Sequence, residues 1–185
     1  MKIAFVYFTN TDITGQLIAA ALGEIEKEGV NSISHKISGK EIIDGRFVNA
    51  HLMKSLEACN AIIFGSPTYM GSVSAQFKAF ADATSEFWSG QAWAGKVAAG
   101  ITSGTAPNGD QASTLQYFSI LASQHGMIWT GLDAPVTDRN KGVNRLGCHL
   151  GVTASSPDGS VHRDDLETAR YLARRVIKIT RKLAV

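Results

Sequence analysis

Cysteine is scarce in this sequence. The 185-residue chain has two, Cys59 and Cys148, too few for a disulfide framework and without the CxxC spacing of metal or dithiol sites. They read as reduced, buried or half-buried thiols of a cytoplasmic protein. No stretch approaches the roughly 18 apolar residues that cross a bilayer. The apolar start, Met1 to Phe8, is too short for a signal peptide and has no small-residue cleavage site after it. Neither membrane insertion nor export is expected. Charge of one sign is lacking too: 18 Lys and Arg against 16 Asp and Glu give no electrostatic reason to expect nucleic acid. The one basic cluster, Arg170, Arg174, Arg175, Lys178, Arg181 and Lys182, falls on an amphipathic pattern as its solvated face. The phosphate motifs GxxxxGK[ST] and GxGxxG are absent, and His35, His51, His149 and His162 show no metal-site spacing.

What is present is globular: 44% hydrophobic and 18% charged residues, in a length that suits one domain over residues 1–185 and buries roughly 70% of the unfolded surface. Residues 2–8 and 61–65 are continuous apolar runs, the pattern of strands buried on both faces. Residues 31–38, 97–102 and 127–132 complete five strands. Helical spacing marks residues 15–28, closed by Gly29, then 49–59, a segment carrying Val73, Phe77, Phe80, Ala81 and Thr84, another carrying Leu115, Phe118, Leu121 and Ala122, and 163–183. Strands alternating with helices, without repeats or a linker, predict a doubly wound parallel α/β sheet. Residues 133–162, rich in Gly, Asp, Asn and Pro with a short strand signal at 151–154, predict an excursion inside or after the last strand.

In such sheets ligands bind beyond the carboxyl ends of the strands, which directs attention to three loops. Thr9-Asn10-Thr11-Asp12-Ile13-Thr14 offers hydroxyls and backbone N–H groups at a helix start, suited to a phosphate; an ordinary N-cap by Thr11 or Asp12 would use the same residues. Gly65 to Ser72 (GSPTYMGS) sets Pro67, Thr68, Tyr69, Met70 and Gly71 after a buried strand. Here Pro would fix the turn, Gly admit close approach, and Tyr69 offer a flat face; a plain turn capped by Ser72 is the alternative. Thr102 to Asp110, with Ser103, Gly104, Thr105, Asn108 and Gly109, could give N–H donors to a heterocycle, or be a flexible connection.

Together these segments resemble the flavodoxin-like proteins, and most closely the WrbA-type NAD(P)H:quinone oxidoreductases and NADPH-dependent FMN reductases. The likeness is carried by AIIFGSPTYMG (61–71), QFKAFAD (76–82), Phe87-Trp88 followed by Gly95-Lys96, the 102–111 loop and His125-Gly126-Met127. The resemblance implies a three-layer sandwich around a five-stranded parallel sheet of order 2-1-3-4-5. It implies FMN with its phosphate on residues 9–14 and its ring framed by residues 67–71 and 102–109. It also implies Trp88 and His125 as catalytic residues bordering a pocket where NADH or NADPH and a quinone take turns, in a homodimer or homotetramer with Trp88 and Trp93 near a pocket shared between subunits. His125 would pass a proton to flavin or quinone, although a histidine in a helix's last turn also serves the helix dipole. Two stretches depart from the family pattern: Asp12-Ile13 stand where Gly and Asn or His are usual, and Asn144 to Ser155 differs from the quinone reductases. A flavodoxin-type electron carrier and a flavin-free binding module on the same scaffold are the competing readings.

Overall fold

A strand covered on both sides needs apolar side chains at nearly every position. Lys2–Tyr7 (β1) meets that need, with Ile3 and Phe5 packed to one side and Ala4 and Val6 to the other. A computed structural model describes residues 1–137 and 142–183. After β1 the chain runs α1 (Ile13–Lys27), β2 (Asn31–Lys36), a 3-10 turn (Gly39–Glu41), β3 (Ile42–Ile43), β4 (Arg46–Phe47), α2 (Ala50–Glu57), β5 (Ala61–Tyr69) and β6 (Ser72–Val73). It continues through α3 (Ala75–Ala83), a 3-10 turn (Thr84–Phe87), β7 (Val97–Ser103), α4 (Gln111–Gln124), β8 (Ile128–Trp129) and α5 (Arg163–Leu183).

The parallel strands lie in the order β2-β1-β5-β7-β8, which is 2-1-3-4-5 along the chain, as the resemblance implied. Register is tight: Ile3 faces Ala61, and Ala61 faces Val97, so the strands β1, β5 and β7 start level. Helices α1 and α5 pack on one face with Ile3, Phe5, Ile63, Ala99 and Ile101, and α2, α3 and α4 on the other with Val6, Ile62, Phe64 and Phe118. Each large side chain fully buried in these layers contributes roughly 1.5–3 kcal/mol. Gly100 is required by this packing, since a Cβ there would stand 2.8 Å from Phe118 and 2.9 Å from Trp129.

The fifth strand differs from the sequence expectation of 127–132. Only Ile128 and Trp129 pair as a strand with Val97 and Ala98. The chain then leaves the sheet and returns at Val152 to Ser156, which bond the upper half of β7 and the residue after it: Thr102 N to Val152 O at 2.8 Å, Gly104 N to Ala154 O at 2.9 Å. The excursion therefore lies inside the fifth strand. It is fastened to α5 by Arg145, which donates to both carboxylate oxygens of buried Asp165 at 2.8 and 2.7 Å, and by Asn144 N, which donates to Thr168 Oγ1 at 2.7 Å.

A β3–β4 hairpin, which the periodicity missed, fills the connection after β2. Its turn residues Asp44 and Gly45 have φ of 49° and 80°, the type I′ geometry that Asp-Gly favours. Phe47 anchors it, buried edge-on against Phe80 at 5.5 Å.

Candidate functional site

The three loops singled out by sequence converge because they follow β1, β5 and β7, the neighbouring central strands. The first ladder bond of α1 runs from Gln16 N to Asp12 O at 2.9 Å, and among the described residues no side chain caps the helix. The N–H groups of Ile13, Thr14 and Gly15 are thus left pointing out of the helix start, where the helix dipole favours an anion. Asp12 holds φ 66°, the left-handed conformation that glycine usually supplies and that Asp tolerates better than most residues. So neither Thr11 nor Asp12 acts as a side-chain cap. The Asp12 carboxylate instead folds back over Gly15, occupying the space a Cβ there would need. Thr9 and Thr14 are buried while Asn10, Thr11 and Asp12 are exposed.

The second loop is a hairpin and not the Pro-fixed turn expected from sequence. Pro67 lies within β5, opposite Ser103. The reversal is made by Met70 and Gly71, both at positive φ (49° and 74°), with Tyr69 and Ser72 paired across it. A Met in this conformation costs of order 1 kcal/mol, and its side chain is fully exposed at 103%. The cap of α3 is Ser74, which accepts from Phe77 N, and not Ser72.

Buried hydroxyls join these elements. Thr102 donates to Ser66 O at 2.7 Å, so its 2.8 Å bond with Thr68 must be donated by Thr68, and the 2.8 Å bond between Thr68 and Thr114 by Thr114. The ladder Thr114 to Thr68 to Thr102 to Ser66 thereby has one direction and ties α4, β5 and β7 together. Thr14 and Ser103 bond at 2.8 Å and tie α1 to β7. The third loop is shaped from below by buried Gln111, which donates to Ala106 O and accepts from Ala154 N; Thr105 O accepts from Ser155 Oγ, and Asn108 and Gly109 are exposed. Sequence reasoning missed Thr114 and Gln111, since polar residues at the start of a helix carry no spacing signal of their own.

Trp88 and His125 are not part of this cluster. Gly126 O accepts from Gly95 N just before β7 begins, placing His125 at the amino ends of the strands. The seven residues of β7 span about 20 Å at ~3.3 Å each. Trp88 and His125 line a separate cleft of about 680 Å³ together with Asp44, Arg46, Asp82 and Gln124. Thr84 donates to Ala81 O at 2.6 Å, so in its 2.8 Å contact with His125 Nε2 it accepts, fixing the Nε2–H tautomer. Among the described residues His125 Nδ1 is then a buried acceptor without a partner and Trp93 Nε1 a buried donor without one, their rings 4.6 Å apart. Burial pushes the His125 pKa below its ordinary value, so at neutral pH this imidazole holds one proton, already committed to Thr84. That arrangement opposes the expected role of His125 as proton donor.

Residues 1–136 match the model of a protein family described as NADPH-dependent FMN reductase. This chain belongs to that family. The family member is 41% identical over 136 residues to Flavodoxin FldP of Pseudomonas aeruginosa (strain UCBPP-PA14), an alignment covering 69% of this chain and 74% of that one. It is 36% identical over 130 residues to an NAD(P)H dehydrogenase (quinone) of Archaeoglobus fulgidus, covering 70% of this chain and 64%, just under two thirds, of the archaeal protein. The crystal structure of a flavodoxin, WrbA-like protein from Agrobacterium tumefaciens superimposes with a TM-score of 0.77 at 33% identity, covering 98% of both chains. The flavodoxin-like fold of this FMN reductase family member is thereby shown. Among the described residues, no helix is long and apolar enough to cross a membrane.

Proposed function

We propose that this chain, as a single domain over residues 1–185, binds FMN on its three loops and carries electrons from NADH or NADPH to a quinone or a similar small acceptor. The observation that carries the reading is the uncapped start of α1 beneath two hydroxyl-stitched loops: among the described residues no side chain caps the N–H groups of Ile13, Thr14 and Gly15, and the Asp12 carboxylate rests in the space beside Gly15 that a Cβ would fill. These residues fit an FMN phosphate. Residues 9–14 would hold the phosphate, while Pro67 to Gly71 and Thr102 to Gly109 would frame the ring, with Tyr69 as its flat neighbour. When bound, FMN supplies the two-electron chemistry between donor and acceptor; the chain's part is to orient the ring and exclude water.

Trp88 and His125 act, in this reading, from a second copy in a homodimer or homotetramer, because within one protomer they stand at the other end of the sheet. Exposed apolar side chains support such an assembly: Met70 at the hairpin tip, Trp88 at 51% exposure, Ile43, Val48 and Ile120. Trp88 would wall the pocket, and His125 would serve as a neutral wall group and not as the acid. A cytoplasmic location suits two free thiols, Cys59 being buried.

Titration of the purified protein with FMN, then anaerobic NADH or NADPH, then a benzoquinone, tests the proposal. Bound-flavin bands that bleach with nicotinamide and return with quinone are expected. Binding without bleaching would make the chain an electron carrier, as the name of its Pseudomonas relative suggests; no binding would leave a flavin-free module.

A further inference from the structure

We infer that Arg46 is the residue by which the Trp88–His125 cleft distinguishes its electron donor, its guanidinium receiving the diphosphate of a reduced nicotinamide dinucleotide. The assignment rests on the reading above, in which that cleft completes the pocket where donor and acceptor take turns.

The β3–β4 hairpin presents Arg46 on a fixed base. Ser38 and Glu41 form a reciprocal cap at its start, and Val48 N donates to Glu41 O at 2.7 Å. Glu41 Oε1 also accepts from Asn49 at 2.7 Å. On β4 the side chains alternate: Phe47 turns inward to Phe80, so Arg46 turns outward, where it lines the cleft with Trp88 and His125. Among the described residues Arg46 is in no ion pair, while the other charged groups of the cleft are carboxylates. Of these Asp82 is held by Lys78 at 2.5 Å, and Asp44 sits at the hairpin turn.

A dianionic ligand entering this cleft therefore meets, among the described residues, one free cation, and it is the cation whose planar fork matches two phosphate oxygens at once. Trp88, half exposed, gives a stacking face for a nicotinamide or adenine ring. The cleft's volume, about 680 Å³, lies within the range of small-molecule sites. A quinone has no anionic group, so Arg46 contributes to one half of the turnover only.

The test is steady-state kinetics of the FMN-loaded protein and its Arg46→Ala and Arg46→Lys variants. Two donors are compared, NADH or NADPH and 1-benzyl-1,4-dihydronicotinamide, which has the same reducing ring and no phosphate. In Arg46→Ala the KM for the dinucleotide is expected to rise about tenfold or more, the scale of a lost charge-assisted phosphate contact, shifting the KM ratio of the two donors by that factor. Arg46→Lys should recover part of the loss, keeping the charge without the fork. Equal changes for both donors, or none, would overturn the assignment. A wild-type protein that oxidises neither donor would overturn the shared-pocket reading and this assignment together, whereas flavin reduction by both donors with an unmoved ratio would overturn this assignment alone.

Discussion

At the carboxyl ends of β1, β5 and β7, the hydroxyls of Thr14, Ser66, Thr68, Ser74, Thr102, Ser103 and Thr114 all have partners. At the amino ends, Trp93 Nε1 and His125 Nδ1 are buried and, among the described residues, without a hydrogen-bond partner, Trp88 lies half open, and Arg46 has no counter-ion among those residues. The first region is organised before any ligand arrives, as a site that must hold a ring and a phosphate through backbone groups requires. The second is an open cleft walled by a half-exposed Trp88 and an outward-turned Arg46.

The contrast can be broken at five places. Arg145→Ala strips the partner from Asp165, whose side chain is 2% exposed; losing one member of a buried pair costs about 3–5 kcal/mol. Urea denaturation should show that loss, whereas Trp88→Ala in the open cleft should move stability by about 0.5 kcal/mol or less. Thr68→Val leaves Thr114 without its acceptor and Thr102 without a donor, for about 1–3 kcal/mol, and should also weaken FMN binding; Thr68→Ser should restore both. Gly15→Ala displaces the Asp12 carboxylate from its resting place toward the anion cradle. It should raise the FMN dissociation constant about tenfold, or ~1.4 kcal/mol, and the loss should vanish when Asp12→Gly is added, a coupling that calorimetric titration of the double-mutant cycle would measure.

A further effect in the cleft depends on pH. Because the folded protein holds the His125 pKa below its ordinary 6.5, the unfolded chain takes up that proton first as pH falls. Stability from this group is therefore full above about 6.5 and is lost between there and the lowered folded value. Thermal melts from pH 8 to 5 should show this slope in the native protein and a flatter profile in His125→Gln.

Much of this architecture was legible because β1 and the first halves of β5 and β7 are apolar runs, the pattern of strands buried on both faces. The split fifth strand was half legible: its Gly- and Asp-rich excursion announced a departure from the sheet, but two residues at Ile128–Trp129 are too few to carry a period. The β3–β4 hairpin was missed for the same reason, although Asp44-Gly45 was the signal to read. Pro67 misleads, because it suggests a turn and instead lies within β5 as a paired strand residue, leaving the reversal to Met70 and Gly71. The loop residues 9–14, 67–71 and 102–109 fall together because consecutive central strands deliver them to one edge. Trp88 and His125 fall elsewhere because α3 and α4 run back along the sheet before reaching them, a displacement that residue types do not record.

The central claim is that one copy's loops and another copy's cleft make one site, and subunit complementation tests it most directly. Gly15→Glu, which puts an acid into the anion cradle, and Trp88→Ala, which removes the cleft wall, should each abolish or cripple NAD(P)H:quinone turnover alone. Refolded together as mixed oligomers, they should regain activity, since some sites then join an intact loop set to an intact cleft. Mixed oligomers that stay as inactive as their parents would contradict the account.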